Sequence, residues 1–265
     1  EIPQGDWSSD VCSSDLSFAF SECNGIEKFN LTNSLIEIGD RAFFKCMNLK
    51  AFNNEYECPT FDVDDYGILY KGKINIADRS LICCPPKFEN PYPEYAIDVT
   101  CCKIENYAFA YCEYDNEIHF QDTSQGGPKL NVIDEGAFYE AKKLIINLED
   151  CSKIEKIGEK AFYNCLGITE LHFESCDDLI SIESETFYKC VNLNTIKLPQ
   201  DVAKIGERAF YGCENLDIDF MDLIESKSFL VENVLIGDQA FYGCKKLHGN
   251  VNIQGNTLIG EKAFY

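Results

Sequence analysis

Three histidines, fifteen cysteines and a short run of aspartates are the residues of this 265-residue chain that could do chemistry. Histidine and cysteine ligate metals or act as base and nucleophile, and clustered carboxylates hold calcium. The spacing supports none of these uses. No CxxC pair occurs, and the doublets Cys83–Cys84 and Cys101–Cys102 do not give the paired spacing of a zinc finger or ribbon. Asp62, Asp64 and Asp65 precede Gly67, but a calcium loop begun at Asp62 would need oxygen ligands where Tyr66 and Lys73 stand. The three aspartates therefore read as an acidic turn. The chain has no GxSxG elbow, HExxH helix, P-loop or GxGxxG. Paired carboxylates carry no information in a sequence with 45 Asp and Glu. The expectation is a protein with no catalytic centre, cofactor or metal.

Charge narrows the partners. With 23 Lys and Arg the formal charge is −22, which repels phosphate backbones and anionic lipid alike. Nucleic acid is therefore excluded as an expected partner. No apolar run is long enough to span a bilayer, and the first residues lack the basic-then-apolar pattern of a signal peptide.

The elements that position these residues are repeats. Nine key phenylalanines, Phe20, Phe43, Phe109, Phe138, Phe162, Phe187, Phe210, Phe241 and Phe264, are separated by 23, 66, 29, 24, 25, 23, 31 and 23 residues. A basic period of 23 predicts a solenoid, in which each unit buries its apolar face against its neighbours. One unit runs from Ile182 to Pro199. Its isoleucine position is followed in other copies by Gly39, Gly158, Gly206, Gly237 or Gly260, where a turn needs an unusual backbone angle or close approach. The A-F-x-x-C segment reads as a short helix or helical turn. The L-x-x-I-x-L-P segment reads as a strand, with Ile196 and Leu198 inside and Lys197 outside. That outside position is polar in all eight copies: Asn30, Asn53, His119, Asn147, His172, Lys197, Asp219 and Asn252. Such a column predicts parallel strands with one wet face. Two coils would separate His119 from His172 by about 10 Å, too far for one metal.

The pattern I-G-x-x-A-F-x-x-C-x-x-L-x-x-I-x-L-P, seen at Ile157–Cys165, Ile182–Pro199 and Ile205–Cys213, resembles the BspA-like leucine-rich repeats. The resemblance covers about residues 17–52 and 101–265. It implies a curved, right-handed α/β solenoid, with parallel strands on the concave face and short helical turns on the other side. It also implies display on, or secretion from, gut and oral bacteria and some parasitic protists. The implied role is adhesion to host extracellular or neighbouring-cell proteins. On that reading the strand column would meet the partner, through Asn147, His172, Lys197, Asp219 and Asn252 with Glu170 and Thr195 beside them. The alternative is a structural spacer or stalk within a larger surface protein.

Seven cysteines stand three residues after a key phenylalanine: Cys23, Cys46, Cys112, Cys165, Cys190, Cys213 and Cys244. Ala141 fills the same slot in another copy, so the position reads as a small buried hydrophobe. Cys101 falls where Val202 falls and also reads as core. Cys151 and Cys176 each lie eleven residues before their phenylalanine, in consecutive coils. They are either a disulfide across the stack or two unpaired thiols, and the second reading is favoured.

Residues 55–100 interrupt the repeats. Gly67–Tyr70 and Leu81–Cys84, with Ile74 and Ile76 between them and Pro85-Pro86 after, predict a small antiparallel meander. The "GVLY…PP" interludes of the same repeat family are similar. The chain thus divides into 1–16, repeats at 17–54, a meander at 55–100 and repeats at 101–265. Gly5 to Leu16 agrees over twelve residues with one reading frame of a sequencing-library adapter, and 1–16 is set aside from the fold as artefactual. The last copy, Ile259–Tyr265, stops before its cysteine and strand. The expectation is a piece of a longer repeat protein, whose last coil would fray or self-associate.

Overall fold

The computed structural model describes residues 16–73, 79–98, 100–120, 129–219, 233–249 and 256–265. Residues 1–15 of the segment set aside, with Ile74, Ile76 and Asn252, lie outside them. The described chain winds into stacked coils, most with two short parallel strands and a turn between them. One ladder follows the isoleucine positions in two sheets, broken between Ile157 and Ile182. Ile104 pairs with Ile133, Ile133 with Ile157, Ile182 with Ile205, Ile205 with Ile236 and Ile236 with Ile259. The other runs through the predicted strands, pairing Phe29 with Phe52, Ile118 with Ile146 and Leu171 with Ile196. Like residues stack on like, so an apolar column in one coil is roofed by the same column in the next. The first of these ladders was not expected. It is only two residues wide at Lys156–Ile157, Ser181–Ile182 and Lys204–Ile205.

The A-F-x-x-C segment corrects the helical expectation, because it is a run of turns and no α-helix occurs among the described residues. The residues two before and two after each key phenylalanine have positive φ. Lys160 and Asn164 lie at 58° and 55°, Glu185 and Lys189 at 56°, Arg208 at 53° and Gly212 at 71°. Alternating left- and right-handed residues turn every second N–H toward the next coil. Lys160 donates to the Ser184 carbonyl at 3.1 Å, Phe162 to Thr186 at 2.9 Å and Asn164 to Tyr188 at 2.7 Å. A helix would have spent these donors on its own axis. A left-handed non-glycine residue costs about 1–2 kcal/mol, which the inter-coil bonds offset.

Inside each turn the phenylalanine rings form a ladder. From Phe109 to Phe264 successive rings lie 5.0–5.4 Å apart and within 15° of parallel. The repeat cysteine closes the floor below. Its thiol donates to the carbonyl of the preceding coil's phenylalanine: Cys46 to Phe20 and Cys165 to Phe138 at 2.9 Å, Cys190 to Phe162 at 2.9 Å, Cys213 to Phe187 at 3.0 Å and Cys244 to Phe210 at 3.1 Å. The Phe162 carbonyl also accepts from the Cys165 N–H at 3.2 Å, so both its lone pairs are used. Burial pushes the Cys190 and Cys244 thiols up to about 12, which keeps them protonated and able to donate. Thr186, standing in for alanine, is fully buried and donates to the Glu183 carbonyl at 2.7 Å. Cys101 is buried as expected. Cys151 and Cys176 are both free thiols, and Cys176 donates instead to the Cys151 carbonyl at 3.2 Å.

The glycine after isoleucine answers to close approach, not to an unusual angle. A Cβ on Gly158 would lie 2.6 Å from the Glu135 nitrogen, and one on Gly206 would lie 2.5 Å from the Ser184 nitrogen.

The interruption is an antiparallel meander, Phe61–Val63 against Leu69–Lys71 and Leu69–Lys71 against Arg79–Cys83. Its third strand also pairs in parallel with Cys101–Ile104, so it serves as a solenoid strand. The acidic turn has a positive role. Asp64 accepts backbone N–H bonds from Tyr66 at 3.0 Å and Ile68 at 2.9 Å. Arg79 is buried over the Tyr70 ring, 3.7 Å from its centroid, and ion-paired with Asp62 and Asp98 at 3.3 Å. The phenylalanine ladder breaks here, and the outer edge is bridged by Arg41 to Glu135 at 2.6 Å and by Phe44 against Tyr107 at 4.9 Å.

Phe187→Ala should cost about 3–5 kcal/mol by loss of a ring from the ladder, whereas Cys190→Ala should cost only about 1 kcal/mol, the worth of one hydrogen bond. Denaturant unfolding of the two variants checks this; equal costs would contradict the division of labour between ring and thiol.

Candidate functional site

The polar column rides on the second ladder, whose inward residues alternate with outward ones. In Glu170–His172 the middle leucine is buried and the flanking residues are not, and Thr195–Lys197 repeats the pattern around Ile196. Parallel pairing then sets the column in register. Asn30 pairs with Asn53, Glu170 with Thr195 and His172 with Lys197. His119 sits one residue beyond the Ile118–Ile146 pair, beside Asn147.

The column is cross-linked by its own side chains. Asn53 donates to the Asn30 amide oxygen at 2.8 Å and Asn147 to the Glu117 carboxylate at 2.8 Å. His172 lies between Glu170 at 3.6 Å and Glu174 at 3.5 Å, and Lys197 reaches Glu174 at 3.6 Å. Burial pushes the Glu174 carboxyl up, but hydrogen bonds from its own backbone N–H and His172 and the Lys197 charge outweigh this and hold it below the usual range.

Three shallow depressions follow this face. One of about 240 Å³ lies between Glu94, Glu117, His119 and Asn147. A second of about 450 Å³ shares Glu117 and Asn147 and extends to Glu170 and His172. The third, about 650 Å³, holds Thr195, Lys197, Asp201, Asp217 and Asp219. Six of the seven residues expected on the site are thus found in these hollows. The seventh, Asn252, lies outside the described residues. The position beside Asp219 is taken by His248, which bridges to it in parallel and contacts Asp217 at 3.0 Å. Its spacing hid this, because His248 lies seven residues after Phe241 and the other described column residues lie nine or ten after their phenylalanines. Carboxylates outnumber cations in all three hollows. Among the described residues, no group of three His, Cys, Asp or Glu side chains is placed to hold a metal ion.

Two further rows escaped the sequence reading. Along the first ladder Asp134 is clamped by Lys103 at 2.9 Å and Lys156 at 2.7 Å, and Glu183 pairs with Lys204 at 2.6 Å. Along the turn edge the residue after phenylalanine is tyrosine in six coils. Tyr139, Tyr163, Tyr188, Tyr211, Tyr242 and Tyr265 stack with centroids 4.6–5.0 Å apart. Burial pushes the Tyr163 phenol up to about 12, with Tyr139 and Tyr188 adding to it. The signal was present as the recurrent AFY or TFY triplet.

Coils with parallel strands at fixed residues, ring ladders inside and one amphipathic strand per turn define a leucine-rich repeat solenoid. The profile of the BspA type leucine rich repeat region matches residues 13–63, 92–217 and 220–265 in six copies, and the chain belongs to that family. Its fold is similar to that of a leucine-rich repeat protein from Eubacterium ventriosum, with 20% identity and a TM-score of 0.68 over 91% of this chain and 58% of the other. The pneumococcal vaccine antigen PcpA is similar at 17% identity and a TM-score of 0.56, over 88% of this chain and 56% of the antigen. The chain therefore spans somewhat over half the length of either protein. No curated protein matches it in sequence.

Asp134 gives this region an acid-sensitive clamp. Burial raises its pKa, but hydrogen bonds and charge from Lys103 and Lys156 outweigh this and hold it below the ordinary value of 3.8. A depressed carboxyl stabilises the fold above the unfolded-state pKa, and this contribution is lost as pH falls through the folded value. The stability advantage of the native chain over Asp134→Asn should therefore shrink as pH falls from 7 through 3.8 and below. A denaturation midpoint difference that stays constant with pH would contradict the clamp.

Proposed function

We propose that this chain is a non-catalytic recognition module, secreted or held at a cell surface, that binds a protein partner across the strand face bearing Asn147, Glu170, His172, Thr195, Lys197 and Asp219. Asn252 belongs to the same proposed face by sequence. The observation that carries the reading is the run of three hollows along one strand face, each lined by the expected column residues. Solenoids bind across such extended surfaces because neighbouring coils each offer a side chain at a fixed spacing. The excess of carboxylates on this face favours a partner segment rich in lysine or arginine, with binding that weakens as salt rises. The family, and the description of PcpA as a vaccine antigen, support a surface role in adhesion to host or neighbouring-cell proteins.

The unbroken ring ladder from Phe109 to Phe264 favours a second reading, a stiff spacer. An array of extracellular proteins separates the two. A binder should lose roughly tenfold or more in affinity on combined His172→Ala, Lys197→Ala and Asp219→Ala changes. Unchanged affinity would move the site off this face, and an array without any binder would leave the spacer.

A further inference from the structure

Cys112 stands in the repeat-cysteine slot but does not meet the partner its equivalents meet. Its equivalents at Cys46, Cys165, Cys190, Cys213 and Cys244 each donate to the carbonyl of the preceding coil's phenylalanine. The coil before Cys112 is the meander, and it carries no key phenylalanine. Cys84 takes that place. Its N–H donates to the Ala108 carbonyl at 2.7 Å, as Phe138 donates to Ala161 and Phe210 to Ala240, each at 2.7 Å. The sulfur of Cys112 therefore faces the sulfur of Cys84, at 3.9 Å, with both residues buried. The doublet Cys83–Cys84 is divided by the strand it ends. Cys83 faces the N-terminal core beside Phe43 and Cys46, and Cys84 faces the main core.

We propose that Cys84 and Cys112 are a disulfide-forming pair that ties the end of the meander to the first coil beyond it. The oxidant is a low-molecular-weight disulfide such as oxidised glutathione. One cysteine thiolate attacks it, forming a mixed disulfide and releasing one glutathione thiolate. The second cysteine thiolate then attacks the protein sulfur of that mixed disulfide and expels the other glutathione. Two cysteine thiols and one glutathione disulfide become one cysteine disulfide and two glutathione thiols, with both protons passing to the glutathiones. The reaction belongs to the folding chain and not to the finished fold, because attack requires a thiolate. Burial pushes the native Cys84 thiol well up, with the neighbouring Cys112 sulfur adding to it. Cys151 and Cys176, also in consecutive coils, are joined through a carbonyl and do not share this geometry.

The test is refolding of the full chain in a glutathione redox buffer, followed by alkylation in denaturant and peptide mapping without reductant. The expected product has two fewer alkylated thiols than the reduced chain, whose sequence holds 15, and one linked peptide pair containing Cys84 and Cys112. Cys83→Ser should leave that link in place. Cys112→Ala, a change tolerated in the equivalent slot by Ala141, should abolish it and leave Cys84 alkylated. Full alkylation of Cys84 and Cys112 in the refolded chain, a persistent glutathione adduct on Cys84, or a link from Cys84 to any other cysteine would overturn the assignment.

Discussion

Every coil is held to its neighbours by backbone hydrogen bonds on opposite sides, and these must agree on one spacing. On the turn side, N–H groups flanking the key phenylalanine donate forward to the next coil. On the isoleucine strand the later coil donates back, as from Gly158 to Ile133, Gly206 to Ile182 and Gly237 to Ile205, each at 2.8 Å. Parallel strands set a repeat of about 4.8 Å. The phenylalanine rings at 5.0–5.4 Å and the tyrosine rings at 4.6–5.0 Å fit that repeat without splaying the stack. The turn can donate outward only because two residues in it are left-handed. That backbone constraint explains the small alanine before the ring, the small cysteine below it and the glycine that lets the next coil close in.

The meander is where the constraint is relaxed and then restored. Its third strand enters the isoleucine ladder, and Cys84 takes over the backbone bond of a key phenylalanine while supplying no ring. The stack continues, but its core divides into two clusters and the ring ladder restarts at Phe109. Arg79 fills part of the gap as a buried cation, balanced by Asp62 and Asp98. With the turn side's backbone groups committed to coil stacking, the recognition proposed above rests on side chains. The strand column offers the most varied set, with amide, imidazole, ammonium and carboxylate on successive coils.

Much of this was legible in the sequence, because stacking like on like writes the same residue at each period. The phenylalanines, the buried cysteines and the polar strand position could all be read that way, and the meander could be read from the break in the period and its turn residues. The turn conformation could not. Lys160, Glu185 and Arg208 sit at positive φ, yet lysine, glutamate and arginine are good helix formers beside alanine. Nothing in their type announces a left-handed backbone that only inter-coil bonding stabilises. The short isoleucine strand was hidden for a related reason, since two residues are too few to show alternation. His248 was missed because it lies only seven residues after Phe241 where its equivalents lie nine or ten after theirs, and the thiol-to-carbonyl bonds because cysteine and alanine look alike as small core residues.

Amide hydrogen exchange tests the central claim directly, since the account turns on where the turn N–H groups point. The amides of Phe162, Asn164, Phe187, Lys189 and Phe210 should exchange as slowly as the isoleucine-strand amides of Gly158, Gly206 and Gly237. Exchange at those turn amides as fast as in exposed loops would contradict the account. It would mean that the coils are held by the strands and the buried rings alone.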